Sequence, residues 1–130
     1  MTFSAAVRSC LSKYATFSGR ARPAEYWWFA LFVVLMAGLA ALVGSYLHMH
    51  SLNWLSCLVL ALPLYAAASR RLHDSGKTGW WNLLALLPPV GTVALLVLLM
   101  SPSEEGDNRY GSPTRPPTAL DLEAVAFHRR

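Results

Sequence analysis

His73 and Asp74 stand side by side in the stretch Arg70-Arg71-Leu72-His73-Asp74-Ser75-Gly76-Lys77-Thr78-Gly79-Trp80-Trp81. An imidazole beside a carboxylate can supply a general base and the group that orients it. The spacing argues against that use. Successive residues on a helix point about 100° apart, so the two side chains do not meet directly if the helix continues. No Ser or Cys has a recognisable nucleophile setting, and neither a phosphate-cradling loop nor a metal-ligand cluster appears. A bracing role is expected instead, with Asp74 paired to Arg71 three residues back, or to Arg20 or Arg22. The chain is read as non-enzymatic, with no catalytic residue, cofactor or metal.

Two other groupings carry less. His48-Met49-His50 offers two imidazoles with no third ligand nearby. Cys10 and Cys57 are too few for a disulfide scaffold, and Cys57 lies inside an apolar run, where a thiol acts as a small hydrophobe.

Charge beside aromatic rings is the stronger signal. Arg70, Arg71 and Lys77, together with Arg20 and Arg22, suit an anionic lipid head group, a protein partner or the chain's own tail. Trp80-Trp81 open one apolar run as Tyr26-Trp27-Trp28 open another, and such aromatics anchor helices at head-group level. The candidate binding loop therefore comprises Arg20, Arg22, Arg70, Arg71, His73, Asp74, Lys77, Trp80 and Trp81.

The elements that must position this loop are apolar. Of 130 residues, 55% are hydrophobic and 14% charged, against roughly 25% charged in a soluble domain. From Tyr26 to Ser69 there are 44 residues without an Asp, Glu, Lys or Arg. About ten would be expected in a soluble protein. The window is too long for one buried helix and long enough for two spans of about 20 residues. The net charge of +4 does not indicate nucleic acid, because the basic residues sit at the ends of apolar runs and form no stripe.

In chain order, residues 1–25 form an N-terminal segment. Phe3, Val7, Cys10, Leu11, Tyr14 and Phe17 recur at helical spacing. They predict an amphipathic helix, either resting on the membrane surface or packed on the rest of the protein. No secretory signal is read, because the first apolar run is longer than a signal core. Pro23 suits the first turn of the next helix, and Glu25 its positive dipole end.

The transmembrane body is residues 26–100, with spans of about 26–47, 52–72 and 80–100. Ala37/Ala41 and Ala40/Gly44 are small-residue pairs that suit close helix approach. The short link His48-Met49-His50-Ser51 forces an antiparallel hairpin, and Pro63 should kink its second arm. Gly76 is placed for a left-handed residue after the helix. Pro88-Pro89 must distort the third run, giving either a kinked span or a re-entrant, broken helix. Residues 101–130 are a polar tail rich in Pro and Gly. Within it, Gly106-Asp107-Asn108-Arg109-Tyr110-Gly111 suits a defined turn packed near the membrane, and a short helix is expected from Thr118 through Phe127.

Basic residues flank the N-terminal side of the first span and the Arg70 loop, whereas the turn at His48 has none. The N-terminus and the Arg70–Lys77 loop are thus expected in the cytoplasm. Three full crossings would put the tail outside; a re-entrant third run, which Arg109 and Arg115 favour, would keep it inside.

Three segments in this order and spacing resemble the domain-of-unknown-function 805 family, the YhaH-like small inner-membrane proteins of bacteria. They are Lys13-Tyr14-Ala15-Thr16-Phe17-Ser18-Gly19-Arg20-Ala21 with Glu25-Tyr26-Trp27-Trp28-Phe29, the Arg70–Trp81 stretch, and Gly106–Pro113. Pro23-Ala24 stands where the family often has basic residues, leaving Arg20 and Arg22 to carry that junction's charge. The resemblance implies a multi-pass protein of the bacterial plasma membrane and assigns no activity.

The expectation is an all-α polytopic membrane protein: a helical hairpin, a third kinked transmembrane helix and an N-terminal amphipathic helix. The expected function is a small scaffold or binding component whose basic interfacial loop takes anionic lipid or a protein partner. Membrane lipids, a second copy of the chain or another membrane protein are the expected partners. The alternative is a subunit of an oligomeric transporter or channel using the Pro-broken third helix.

Overall fold

A computed structural model of the chain describes residues 1–116 and 118–129. Every regular element among them is helical. The helices are α1 (Phe3–Ser12), α2 (Pro23–Tyr46), α3 (Ser51–Asp74), a 3-10 helix (Gly79–Leu86), α4 (Val90–Met100) and α5 (Ala119–His128).

The uncharged window folds as the hairpin of α2 and α3. Pro23 occupies the first turn of α2, where its fixed φ fits and its missing N–H costs nothing. Each arm has 24 residues, or about 36 Å at 1.5 Å per residue, enough for a hydrocarbon core of about 30 Å. The arms are joined through His48, which takes the left-handed conformation at φ 55°, and the Met49 amide donates back to Gly44 O at 2.7 Å. Gly44 is buried there, since a Cβ would stand 2.8 Å from Met49 O. Its smallness therefore serves the turn. Along the outer flanks Leu31, Val34, Leu39 and Leu42 of α2 and Trp54, Leu58 and Val59 of α3 are exposed. An apolar belt of that extent calls for hydrocarbon rather than water around it.

α1 ends at Ser12, shorter than the periodicity through Phe17 suggests. It packs on α2 through the buried Ala6 and Cys10, and Phe3 meets the Trp28 ring edge-on at 5.9 Å. Leu11, Tyr14 and Phe17 remain exposed.

Residues 80–100 do not form the kinked but continuous helix expected of that run. They form the 3-10 helix and the 11-residue α4, parted at Leu87-Pro88-Pro89. Neither proline can donate a main-chain N–H, so helical hydrogen bonding cannot run through the pair. The two pieces fold back on each other, with the Gly91 amide donating to Leu87 O at 2.6 Å. Gly91 is buried because a Cβ would collide with Leu84 O. α4 is only about 17 Å long at 1.5 Å per residue. At the start of the run Asn82 reaches Ser69 of α3, and at its end Ser101 O accepts from Arg71. The run thus leaves and returns at the same end of α3.

Burial is concentrated at that end. Ala66 through Asp74 are all buried, wrapped by α1, the start of α2, the 3-10 helix, α4 and the tail. Ala66, Ala67 and Ala68 are small enough to admit these neighbours closely. Phe29, Leu72, Leu95 and Leu99 fill the apolar core beside them.

Candidate functional site

The last turn of α3 carries five consecutive buried residues, Arg70 to Asp74. Arg70 and Arg71 are each only 1% exposed, and Asp74 is fully buried. Charges buried this deeply persist only when paired and hydrogen-bonded, and each of the three has an oppositely charged partner.

Arg70 turns toward α1 and α2. Its Nη1 donates to Glu25 Oε1 at 2.8 Å, in a bridge whose two side chains are almost fully buried. Ser9 Oγ donates to the same carboxylate oxygen at 3.0 Å. Glu25 therefore does more than complement the α2 dipole, since it neutralises a cation 45 residues away. Cys10 lies in this nest, its thiol pushed up to about 11 by burial and by the neighbouring Glu25 carboxylate.

Arg71 and Arg20 converge on Asp74. Arg71 Nη1 donates to Oδ2 at 3.0 Å and Arg20 Nε to Oδ1 at 2.9 Å. Thr114 donates to Oδ1 at 2.9 Å, and Ser103 donates to Oδ2. Of the expected partners Arg71, Arg20 and Arg22, Asp74 takes the first two together, and Arg22 stays exposed. Three guanidiniums face two carboxylates here, and main-chain carbonyls supply further acceptors to Arg20 and Arg71, while Arg70 Nε and Arg71 Nε are buried without a partner among the described residues. Arg20 donates to Gly106 O at 2.8 Å, Glu104 O at 2.7 Å and Gly111 O at 3.3 Å, and Arg71 donates to Ser101 O. The negative end of the α3 dipole lies among them. Apart from Asp74 O, which accepts from Arg20 Nη2 at 3.3 Å, every one of these carbonyls belongs to residues 101–111, so the hydrogen bonding of Arg20 and Arg71 depends on the tail.

The tail answers with its own groups. The Glu104 amide donates to Asp74 O at 2.7 Å. Asn108 Nδ2 donates to His73 O and to Glu104 Oε2, both at 2.9 Å. Asn108 and Gly111 close an isolated antiparallel bridge, so the glycine-flanked segment forms the expected turn. His73 Nδ1 donates to Gly19 O at 3.0 Å, its ring lies 3.8 Å from that of Tyr110, and Arg109 sits 4.8 Å over the Tyr110 ring.

The nine candidate residues therefore divide. Arg20, Arg70, Arg71 and Asp74 face inward and are occupied by the chain itself, and His73 is held through Nδ1 and its ring face with Nε2 left toward Gly79. Arg22 and Trp80 are exposed, Trp81 is exposed to 47%, and Lys77 is half-buried. His73 and Asp74 do not bond to each other; each serves a different partner. Glu25, Ser103, Asn108, Tyr110 and Thr114 belong to the site without having been singled out for it. Glu25 alone carried a signal, as the only acid before Asp74 at the edge of an apolar span. Among the described residues no group of three or more His, Cys, Asp or Glu is placed to hold a metal ion.

Two lipid-length helices with apolar outer flanks, joined to a polar network that closes one end, define an all-α integral membrane protein. The chain belongs to the family described as protein of unknown function (DUF805), whose sequence profile matches residues 14–112. It is 40% identical to the inner membrane protein YhaI of Escherichia coli K12 over 107 residues, covering 80% of this chain and 90% of that protein. It is 33% identical to the inner membrane protein YhaH of the same strain over 107 residues, covering 78% of this chain and 88% of that protein. No solved structure matches it.

Proposed function

We propose that the protein is a small scaffold of the bacterial inner membrane that binds its surroundings through one face without catalysing a reaction. The observation that carries this reading is the Arg20–Asp74–Arg71 clamp, which spends its charge on holding residues 101–114 to the end of α3. The result is a braced platform at one membrane border. Arg22, Lys77, Trp80 and Trp81 form its outward edge and suit anionic head groups or a membrane-protein partner.

The same geometry supports two full crossings with a re-entrant third run, since both ends of residues 79–101 meet the same end of α3. N-terminal segment, Arg70 loop and tail then share one side, which the positive-inside rule makes cytoplasmic. Reporter fusions after Met100 and after His128 should both read cytoplasmic; a periplasmic signal at either would overturn this threading.

Native mass spectrometry of the protein purified from its own membrane tests the binding role. The Arg22→Ala, Lys77→Ala double variant should insert normally and lose co-purifying anionic lipid or partner protein. Unchanged co-purification would remove the outward edge from the proposal. The broken third run favours a second reading, a transporter subunit, which requires proteoliposome flux sensitive to replacement of Pro88 and Pro89.

A further inference from the structure

Between the final turns of α3 and the 3-10 helix lies a cavity of about 420 Å³, bordered by Phe17, Tyr65, Ser69, His73, Trp80 and Asn82. Its floor is open because residue 79 is glycine. The left-handed glycines are Gly19, Gly76, Gly106 and Gly111, so nothing in the backbone of Gly79 demands the absence of a side chain. Space does. A Cβ there would stand 3.0 Å from Ser69 Oγ and 3.5 Å from His73 Nε2.

Those two atoms are complementary. A carbonyl only accepts, so the His73 nitrogen facing Gly19 O carries a proton, and in the neutral ring Nε2 keeps its lone pair on the Gly79 side. Ser69 Oγ accepts from Asn82 Nδ2 at 2.7 Å, and its own proton has no acceptor among the described residues. An acceptor and a donor that both border Gly79 fit a ligand group that is both, namely a hydroxyl. Phe17, Tyr65 and Trp80 suit a flat ring around it. Trp80, 78% exposed, stands at the rim, where an amphiphile can enter from the bilayer.

We propose that this cavity is a binding site for a membrane-soluble phenol, an aromatic hydroxyl head carrying an apolar tail. The hydroxyl donates to His73 Nε2 and accepts from Ser69, the ring lies among the aromatics, and the tail runs out past Leu83 into lipid. Volume and lining match ordinary small-molecule sites, mostly apolar with a few convergent polar groups. Neither Arg22 nor Lys77 lines it, so the site stands or falls independently of the outward edge.

The test uses the full chain in nanodiscs, with fluorine NMR of 2-fluoro-4-octylphenol and of its methyl ether, which keeps the shape and loses the donor. The phenol should give a saturable bound signal absent from empty discs, with the ether at least about tenfold weaker. Ser69→Ala and Gly79→Ala should each weaken the phenol by about tenfold or more. Gly79→Ala narrows the floor and leaves His73 and its Gly19 bond in place. No saturable signal, equal binding of phenol and ether, or full binding by a folded Gly79→Ala protein would overturn the site.

Discussion

The ring of Tyr110 lies flat on the imidazole of His73, with centroids 3.8 Å apart and planes 3° from parallel. This contact joins the tail to the last turn of α3, and it sits beside the Arg20 clamp on the same 101–114 segment. Polar clamp and ring stack hold one stretch of chain from two sides.

Removing the ring should loosen the tail without unfolding the hairpin. Tyr110→Ala should cost about 0.5–1.5 kcal/mol beyond lost area. Hydrogen exchange over residues 101–114 should quicken while α2 and α3 keep their protection. Unchanged exchange in the tail would show that the stack contributes nothing.

Asp74 should be far less replaceable than its exposed neighbours. Asp74→Ala strands two buried guanidiniums and should cost about 3–5 kcal/mol. Arg22→Ala, at an exposed position, should stay within about 0.5 kcal/mol. Thermal unfolding in detergent compares the two, and equal losses would contradict the burial of the clamp.

Two glycines should respond in opposite ways. Gly38 has open space around a Cβ, so Gly38→Ala should be neutral or stabilising by up to about 1 kcal/mol. Gly91→Ala must push the 3-10 helix and α4 apart and should cost at least about 1–3 kcal/mol. Unfolding midpoints of the two variants check the returning path of the third run.

Cys10 should be silent to thiol reagents at ordinary pH. Its pKa rises from 9.0 to about 11 through burial and the Glu25 carboxylate, so the folded protein holds that proton more tightly than the unfolded chain. The associated stability is complete below about pH 9 and is lost as pH climbs through about 11. In a Cys57→Ala background, maleimide labelling at pH 7.5 should be negligible until denaturant is added. Rapid labelling of the native protein would contradict the closed nest around Cys10.

How much of this was legible beforehand follows from the range of each force. Membrane insertion depends on local, additive apolar content, so the 44 uncharged residues announced the α2–α3 hairpin by themselves. Backbone preferences are local too: Pro23 opens α2, and Gly76 is left-handed at φ 73°. Pro88-Pro89 announced a break and left open its consequence. Whether the run crosses or returns depends on Gly91 meeting Leu84 O and on Ser101 reaching Arg71, contacts that no local preference encodes.

The arginines show the same division. Their clustering at the end of an apolar run was plain, and so was a partner for Asp74. Their burial was not, because it requires Glu25 to arrive from 45 residues away and the tail carbonyls to arrive from beyond the third run. A guanidinium's charge is written in the chain, but whether it faces a lipid or a carboxylate is a matter of desolvation, and desolvation is decided only when distant segments close over it.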